Sequence, residues 1–122
     1  MKRDIELSRE LLIAMEESDS ELSTNTLASQ RDETGEVLAY HVLLLEEAGL
    51  VEAAIMPKNR KVHPQAAVIL RLTHAGHEFL DSVRSDTAWN KLKGYVTSKG
   101  LEVTVGTLMK AIPGFVAAAL GG

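Results

Sequence analysis

The stretch Tyr40-His41-Val42-Leu43-Leu44-Leu45-Glu46-Glu47-Ala48-Gly49-Leu50-Val51 decides how the chain is read. It has the pattern of an amphipathic helix that is closed by a glycine and runs directly into a strand. A second stretch, Leu72-Thr73-His74-Ala75-Gly76-His77-Glu78-Phe79-Leu80-Asp81, reads as the end of a strand passing into a capped helix. Between them lies a turn-rich segment with two prolines and several cations, the composition of a hairpin tip. Helix, strand, basic tip, strand, helix is the order of a winged helix-turn-helix. The expected class is therefore α+β, mostly α with a small antiparallel sheet, followed by a C-terminal helical extension.

Around the first stretch, Thr34 is placed to cap a helix whose inner face holds Val37, His41, Leu44, Leu45 and Ala48. Gly49 fits the left-handed position that ends helices, because it has no Cβ to clash. Residues 51–56 and 66–72 form the predicted ribbon, with Val68, Leu70 and Leu72 on one face and residues 57–64 as the tip. Thr73 caps the next helix, which turns Phe79, Leu80 and Val83 inward. Upstream, apolar residues from Ile5 to Met15 recur at three- and four-residue steps behind Asp4, a candidate N-cap. Residues 21–30 alternate and carry threonines, which favours a short strand over 22–27 pairing with the base of the ribbon. A second helix is then vestigial or compressed into 29–34. Downstream, residues 87–98 present Trp89, Leu92 and Val96 as a helical stripe. Residues 104–120 form an apolar helix that Pro113-Gly114 should kink or split. The expected division is a domain over 1–84 and an extension over 85–122, either part of the same compact unit or a dimerisation element.

The 122 residues suffice for one domain with a sizeable core. There is no cysteine, which removes disulfides and thiolate metal sites and fits a reducing compartment. The opening Met1-Lys2-Arg3-Asp4 leads into charged helix, and the longest apolar run, over 115–120, falls far short of the ~20 residues that span a bilayer. A cytoplasmic location without membrane contact is expected. Residues 1–56 carry thirteen acids against four bases, and residues 57–122 four acids against nine bases. That asymmetry implies either a polar molecule with an acidic and a basic flank or two halves that neutralise each other in the fold.

Candidate sites follow from these elements. On the helix over 36–48 the outward residues are Glu36, Tyr40, Leu43 and Glu47, and no lysine or arginine occurs between Arg31 and Lys58. Carboxylates there oppose the phosphate term that dominates DNA affinity, so this face suits a protein contact better than a major groove. Lys58, Arg60 and Lys61 at the tip are the candidate nucleic-acid contacts, with the cations of the C-terminal half extending the patch. Val105, Leu108, Met109, Ile112 and Val116 line a helix more apolar than a lone terminal helix needs, and a homodimer through it is expected. His74 and His77, with His41 or His63 as a third ligand, invite a metal reading, but the His-Glu-x-x-His order is missing. No metal, cofactor or catalytic constellation is assigned, and an enzyme is not expected.

Three pieces in order resemble one family. They are Met1-Lys2-Arg3-Asp4 with Leu11-Leu12, Tyr40-His41 to Ala48-Gly49-Leu50, and Leu72-Thr73 with Gly76-His77-Glu78-Phe79-Leu80-Asp81, Arg84 and Trp89-Asn90-Lys91. Together they resemble the bacterial and prophage family known as domain of unknown function 2513. The resemblance covers most of residues 1–93. It implies a small winged-helix-like protein, often carried on mobile elements, with a reduced second helix and no established reaction. Two functions stay open at this point. One is a DNA-binding regulator or accessory protein that holds double-stranded DNA through its basic wing. The other is an interaction module that meets a host or phage protein with its acidic helix face and leaves DNA alone.

Overall fold

The computed structural model describes residues 2–59 and 61–121. In chain order the elements are α1 (Ile5–Glu17), β1 (Leu22–Ser23), α2 (Thr24–Ala28), α3 (Gly35–Glu47), β2 (Val51–Met56), β3 (Ala66–Leu72), α4 (His74–Val83), α5 (Asp86–Ser98) and α6 (Val105–Gly121). The result is an α+β fold with six helices and one three-stranded antiparallel sheet among the described residues.

Short polar residues start most of these helices. Asp4 accepts the Glu6 and Leu7 N–H groups, Thr34 that of Val37, Thr73 that of Gly76 and Ser85 that of Ala88. Each side chain satisfies a donor that has no partner inside its helix. The end of α3 is equally specific. Gly49 takes φ 81°, its N–H donates to the Glu46 carbonyl and the Leu50 N–H reaches back to that of Leu45. This six-to-one and five-to-two pair of bonds reverses the chain and drops Leu50 into the core.

The antiparallel ribbon expected over residues 51–72 is present, and β3 lies between β1 and β2. Its inner face is not the one expected. Val51 pairs with Leu72 and Glu52 with Arg71, but Ala53 pairs with Ile69, so Leu70 is an unpaired extra residue. This bulge shifts the alternation by one. Ala67, Ile69 and Leu72 are buried, while Leu70 is 45% exposed.

The segment over 21–34 also differs. β1 contains only Leu22 and Ser23, paired with Ile69 and Val68, and the helix follows at once as α2 instead of lying within 29–34. The cause is Thr24. It is fully buried and its Oγ1 accepts the Ala67 N–H at 2.9 Å, so a side chain takes over the ladder from the backbone. Ser23 then caps α2 through the Asn25 N–H. Thr24, one of the threonines that suggested strand, acts here as a hydrogen-bonding side chain.

One core joins all these layers. Leu11 and Leu12 of α1, Leu38 and Val42 of α3, Ile69 of β3, Leu80 and Val83 of α4, Leu92 and Val96 of α5, and Leu108 of α6 belong to a single buried cluster. On α3 the buried side is Leu38, Ala39, His41, Val42 and Leu45. The helix is thus rotated relative to the expected inner face, and Val37, Leu44 and Ala48 sit at the margin. α6 continues through Pro113 to Gly121 without the expected split.

The charged halves interlock. Glu6 pairs with Lys93, Glu16 with Arg84, Glu52 with Arg71 and Arg9 with Asp86, each pair joining one half to the other. Of the two readings of the charge asymmetry, neutralisation within the fold describes these residues. Glu6 has a further role, since it also accepts the Trp89 Nε1–H at 2.7 Å. Burial raises its pKa, but the hydrogen bonds from Lys93 and Trp89 outweigh that and hold the carboxyl below its ordinary value. A depressed folded value contributes stability above the unfolded carboxylate pKa and loses it as pH falls through the folded one. Replacing Glu6 with Gln is expected to lower stability at pH 7 by less than about 1 kcal/mol, seen as a small drop in the thermal midpoint, because the carboxylate is half exposed. The gap should close in melts recorded below about pH 4. A gap that persists in acid would assign the loss to packing instead.

Candidate functional site

The N-terminal arm is anchored first. His41 lies wholly inside α3's buried side, and its Nδ1 meets the Val37 carbonyl at 2.8 Å. That bond fixes the tautomer and leaves Nε2 free to accept the Asp4 N–H, also at 2.8 Å. Residues 2–5 are thereby held beside α3. His41, placed on the inner face of its helix by the sequence pattern, therefore has a structural role. His77 is exposed at the start of α4, and His74 pairs with Glu78 at 2.5 Å.

The anchored arm forms one wall of a cleft of about 720 Å³. Its second wall is the α3 side carrying Tyr40, Leu44 and Glu47. Its third is the connection from α5 into α6, over residues 102–106, which includes Glu102 and the first turn of α6. That turn is locked by a reciprocal cap in which Thr104 Oγ1 accepts the Thr107 N–H and Thr107 Oγ1 accepts the Thr104 N–H. Ser8, only 4% exposed, opens onto the cleft from α1.

The predicted protein-contact residues are partly brought together. Glu36 and Glu47 are exposed, as expected of an outward acidic face. Tyr40 is half-buried and its ring stacks on His63 of the hairpin tip at 5.9 Å, 23° from parallel. Leu43 packs against the core. At the tip Lys58 and Lys61 are exposed and make no ion pair among the described residues, whereas Arg60 lies outside the described residues. On α6, Leu108 is fully buried in this chain's own core, Val105, Met109 and Ile112 pack partly against it, and Val116 is 44% exposed.

The cleft was not anticipated, although one signal for it exists. Ile5, Ser8, Leu12 and Met15 follow a helical stripe, and Ser8 is the polar residue in an otherwise apolar row. Lys2, Arg3 and Glu102 give no such signal, because only the fold brings the arm and the α5–α6 connection to α3.

A family model described as "Hypothetical protein (DUF2513)" matches residues 2–102. The chain belongs to this family. A protein of Haemophilus influenzae described as uncharacterized is 37% identical over 108 residues, which is 86% of each chain. No solved structure matches. The family match takes in α1 to α5, the ribbon and the arm, and stops at Glu102, inside the third wall of the cleft. No helix among the described residues is long and apolar enough to cross a membrane, and no group of three metal-capable side chains occurs among them.

Proposed function

We propose that the protein is a cytoplasmic winged-helix module that acts by binding and not by catalysis, and that its partner is a protein with a basic surface that docks on the outer side of α3. The succession of α1, β1, α2, α3 and a β2–β3 ribbon, with the first strand laid against β3, supports the winged-helix reading. The observation that carries the choice of partner is the charge of α3. Its exposed residues include Glu36 and Glu47, and it has no lysine or arginine from Gly35 to Glu47. In a DNA groove these carboxylates would repel phosphates, where cations are required. A host or phage protein fits the family's expected setting.

The second reading keeps double-stranded DNA as the partner through the wing, and the exposed, unpaired Lys58 and Lys61 favour it. One pair of assays separates the two. In random duplex at about 50 mM salt, where non-specific affinity is high, no gel shift is expected. A salt-sensitive shift that disappears when Lys58 and Lys61 become alanine would reject the protein reading. For the protein reading, a partner recovered with the tagged chain should be released by Tyr40→Ala and by Glu47→Lys. A complex that survives both changes would remove α3 as its surface.

A further inference from the structure

We propose that the cleft between the N-terminal arm, α3 and the head of α6 binds a small zwitterion with an apolar body, of the class of a free apolar amino acid or a short unblocked peptide. This goes beyond the protein-docking reading and does not rest on it. Size is the first argument, since about 720 Å³ falls within the range of small-ligand sites. Charge is the second. Lys2, Arg3, Glu47 and Glu102 all line the cleft, and none of them makes an ion pair among the described residues. Two cations and two carboxylates around one cleft without pairing suit a ligand that brings both signs.

The helix ends reinforce this arrangement. α3 ends at Glu47 with its negative pole, and α6 begins at Val105 with its positive pole, and both ends line the cleft. In α6's first turn the Thr107 N–H is taken by Thr104 Oγ1 and the Leu108 N–H by the Thr104 carbonyl. The Val105 and Gly106 N–H groups remain for a carboxylate, and Lys2 and Arg3 line the same cleft.

Ser8 is the independent sign of a ligand. It is 4% exposed, and its side chain makes no hydrogen bond to another described residue. No enclosed side-chain oxygen among the described residues lacks a partner, so the Ser8 hydroxyl keeps access to solvent, and Ser8 is one of the residues that line the cleft. Water satisfies such a hydroxyl in an open cleft, and a polar group of a ligand can take the place of that water. Leu44 and Val105 provide the wall for the ligand's apolar body.

The test is a titration of the full chain followed by amide-proton NMR, with L-leucine, leucyl-leucine, N-acetyl-leucine and leucinamide at millimolar concentrations. Saturable shifts at Ser8, Leu44 and Gly106 are expected with leucine or leucyl-leucine, and the tighter of the two tells the free amino acid from the peptide. Blocking either end should weaken binding at least about tenfold, the weight of one charge-assisted hydrogen bond. Arg3→Gln and Glu47→Gln, both at exposed positions, should each cost a similar factor while leaving the melting curve unchanged. Absence of a saturable shift with both free zwitterions overturns the proposal. So does a blocked compound that binds as well as its parent, or Glu47→Gln with unaltered affinity. Because no protein partner enters this experiment, its failure leaves the docking surface on α3 untouched.

Discussion

Replacing Gly76 with alanine is expected to cost about 3 kcal/mol, the upper part of the range for forcing an extra carbon into a packed site. A Cβ on Gly76 would lie 2.0 Å from the Leu50 carbonyl oxygen and 3.0 Å from its carbon, both backbone atoms. Neither side can retreat. The Leu50 side chain is fully buried, its N–H is bonded to Leu45, and its carbonyl accepts the Thr73 N–H at 3.0 Å. Thr73 in turn donates its hydroxyl to the Gly49 carbonyl at 2.6 Å and accepts the Gly76 N–H at 3.0 Å. The end of α3 and the start of α4 are thus bolted together by backbone, and an added methyl must break this junction or unseat Leu50. Gly94 is the control. It lies inside α5 with nothing within 4 Å of a built Cβ, so Gly94→Ala should stabilise by about 0.5–1 kcal/mol through helix propensity alone. Urea denaturation of both variants checks the pair. A Gly76→Ala protein with the wild-type midpoint would mean that the two backbones are not in contact.

The same junction explains what could be read in advance. The Gly49 terminator, the Thr34, Thr73 and Asp4 caps and the inward Phe79, Leu80, Val83, Trp89, Leu92 and Val96 all depend on neighbours within one or two helical turns, and such short-range patterns are visible in a linear chain. The exposure of Glu36 and Glu47 follows from the same periodicity. What was misread depends on partners far away in sequence. Thr24 leaves the strand because Ala67 offers it a donor, 43 positions on. Leu70 turns outward because β2 pairs past it. The acidic and basic halves neutralise each other through Glu6–Lys93 and Glu16–Arg84, pairs that no local pattern reveals. The cleft belongs to the same class, since three separate segments build it and only Ser8 leaves a trace in the helical pattern.

Arg9 is the strongest instance of such a hidden partner, and its loss is the second large effect expected. An arginine on α1 would ordinarily be taken as solvated, yet Arg9 is only 9% exposed. Its Nε–H donates to the Val83 carbonyl at 2.8 Å, and one terminal nitrogen donates to the Arg84 carbonyl at 2.6 Å and to Asp86 Oδ1 at 3.0 Å. The first two acceptors are carbonyls at the end of α4, which have no partner inside the helix. The guanidinium also lies 5.4 Å from the centre of the Trp89 ring, so one side chain ties α1 to α4 and α5. Arg9→Met keeps much of the volume but leaves those carbonyls without a donor, and a loss of about 3 kcal/mol is expected. Arg9→Lys should recover only part of it, because a single ammonium cannot reproduce the fork. Asp86→Asn removes only the exposed partner of the ion pair and should cost less than about 1 kcal/mol. Trp89 is the sole tryptophan, so its fluorescence reports the docking of α5 directly. In Arg9→Met the emission should shift to the red at lower urea than the loss of helical circular dichroism, since α5 then keeps only the bonds from Trp89 and Lys93 to Glu6 as its polar tie to α1 and loosens before the remaining core opens. Coincident transitions with an unchanged midpoint would show that the apolar contacts of Trp89 and Leu92 hold α5 in place without Arg9.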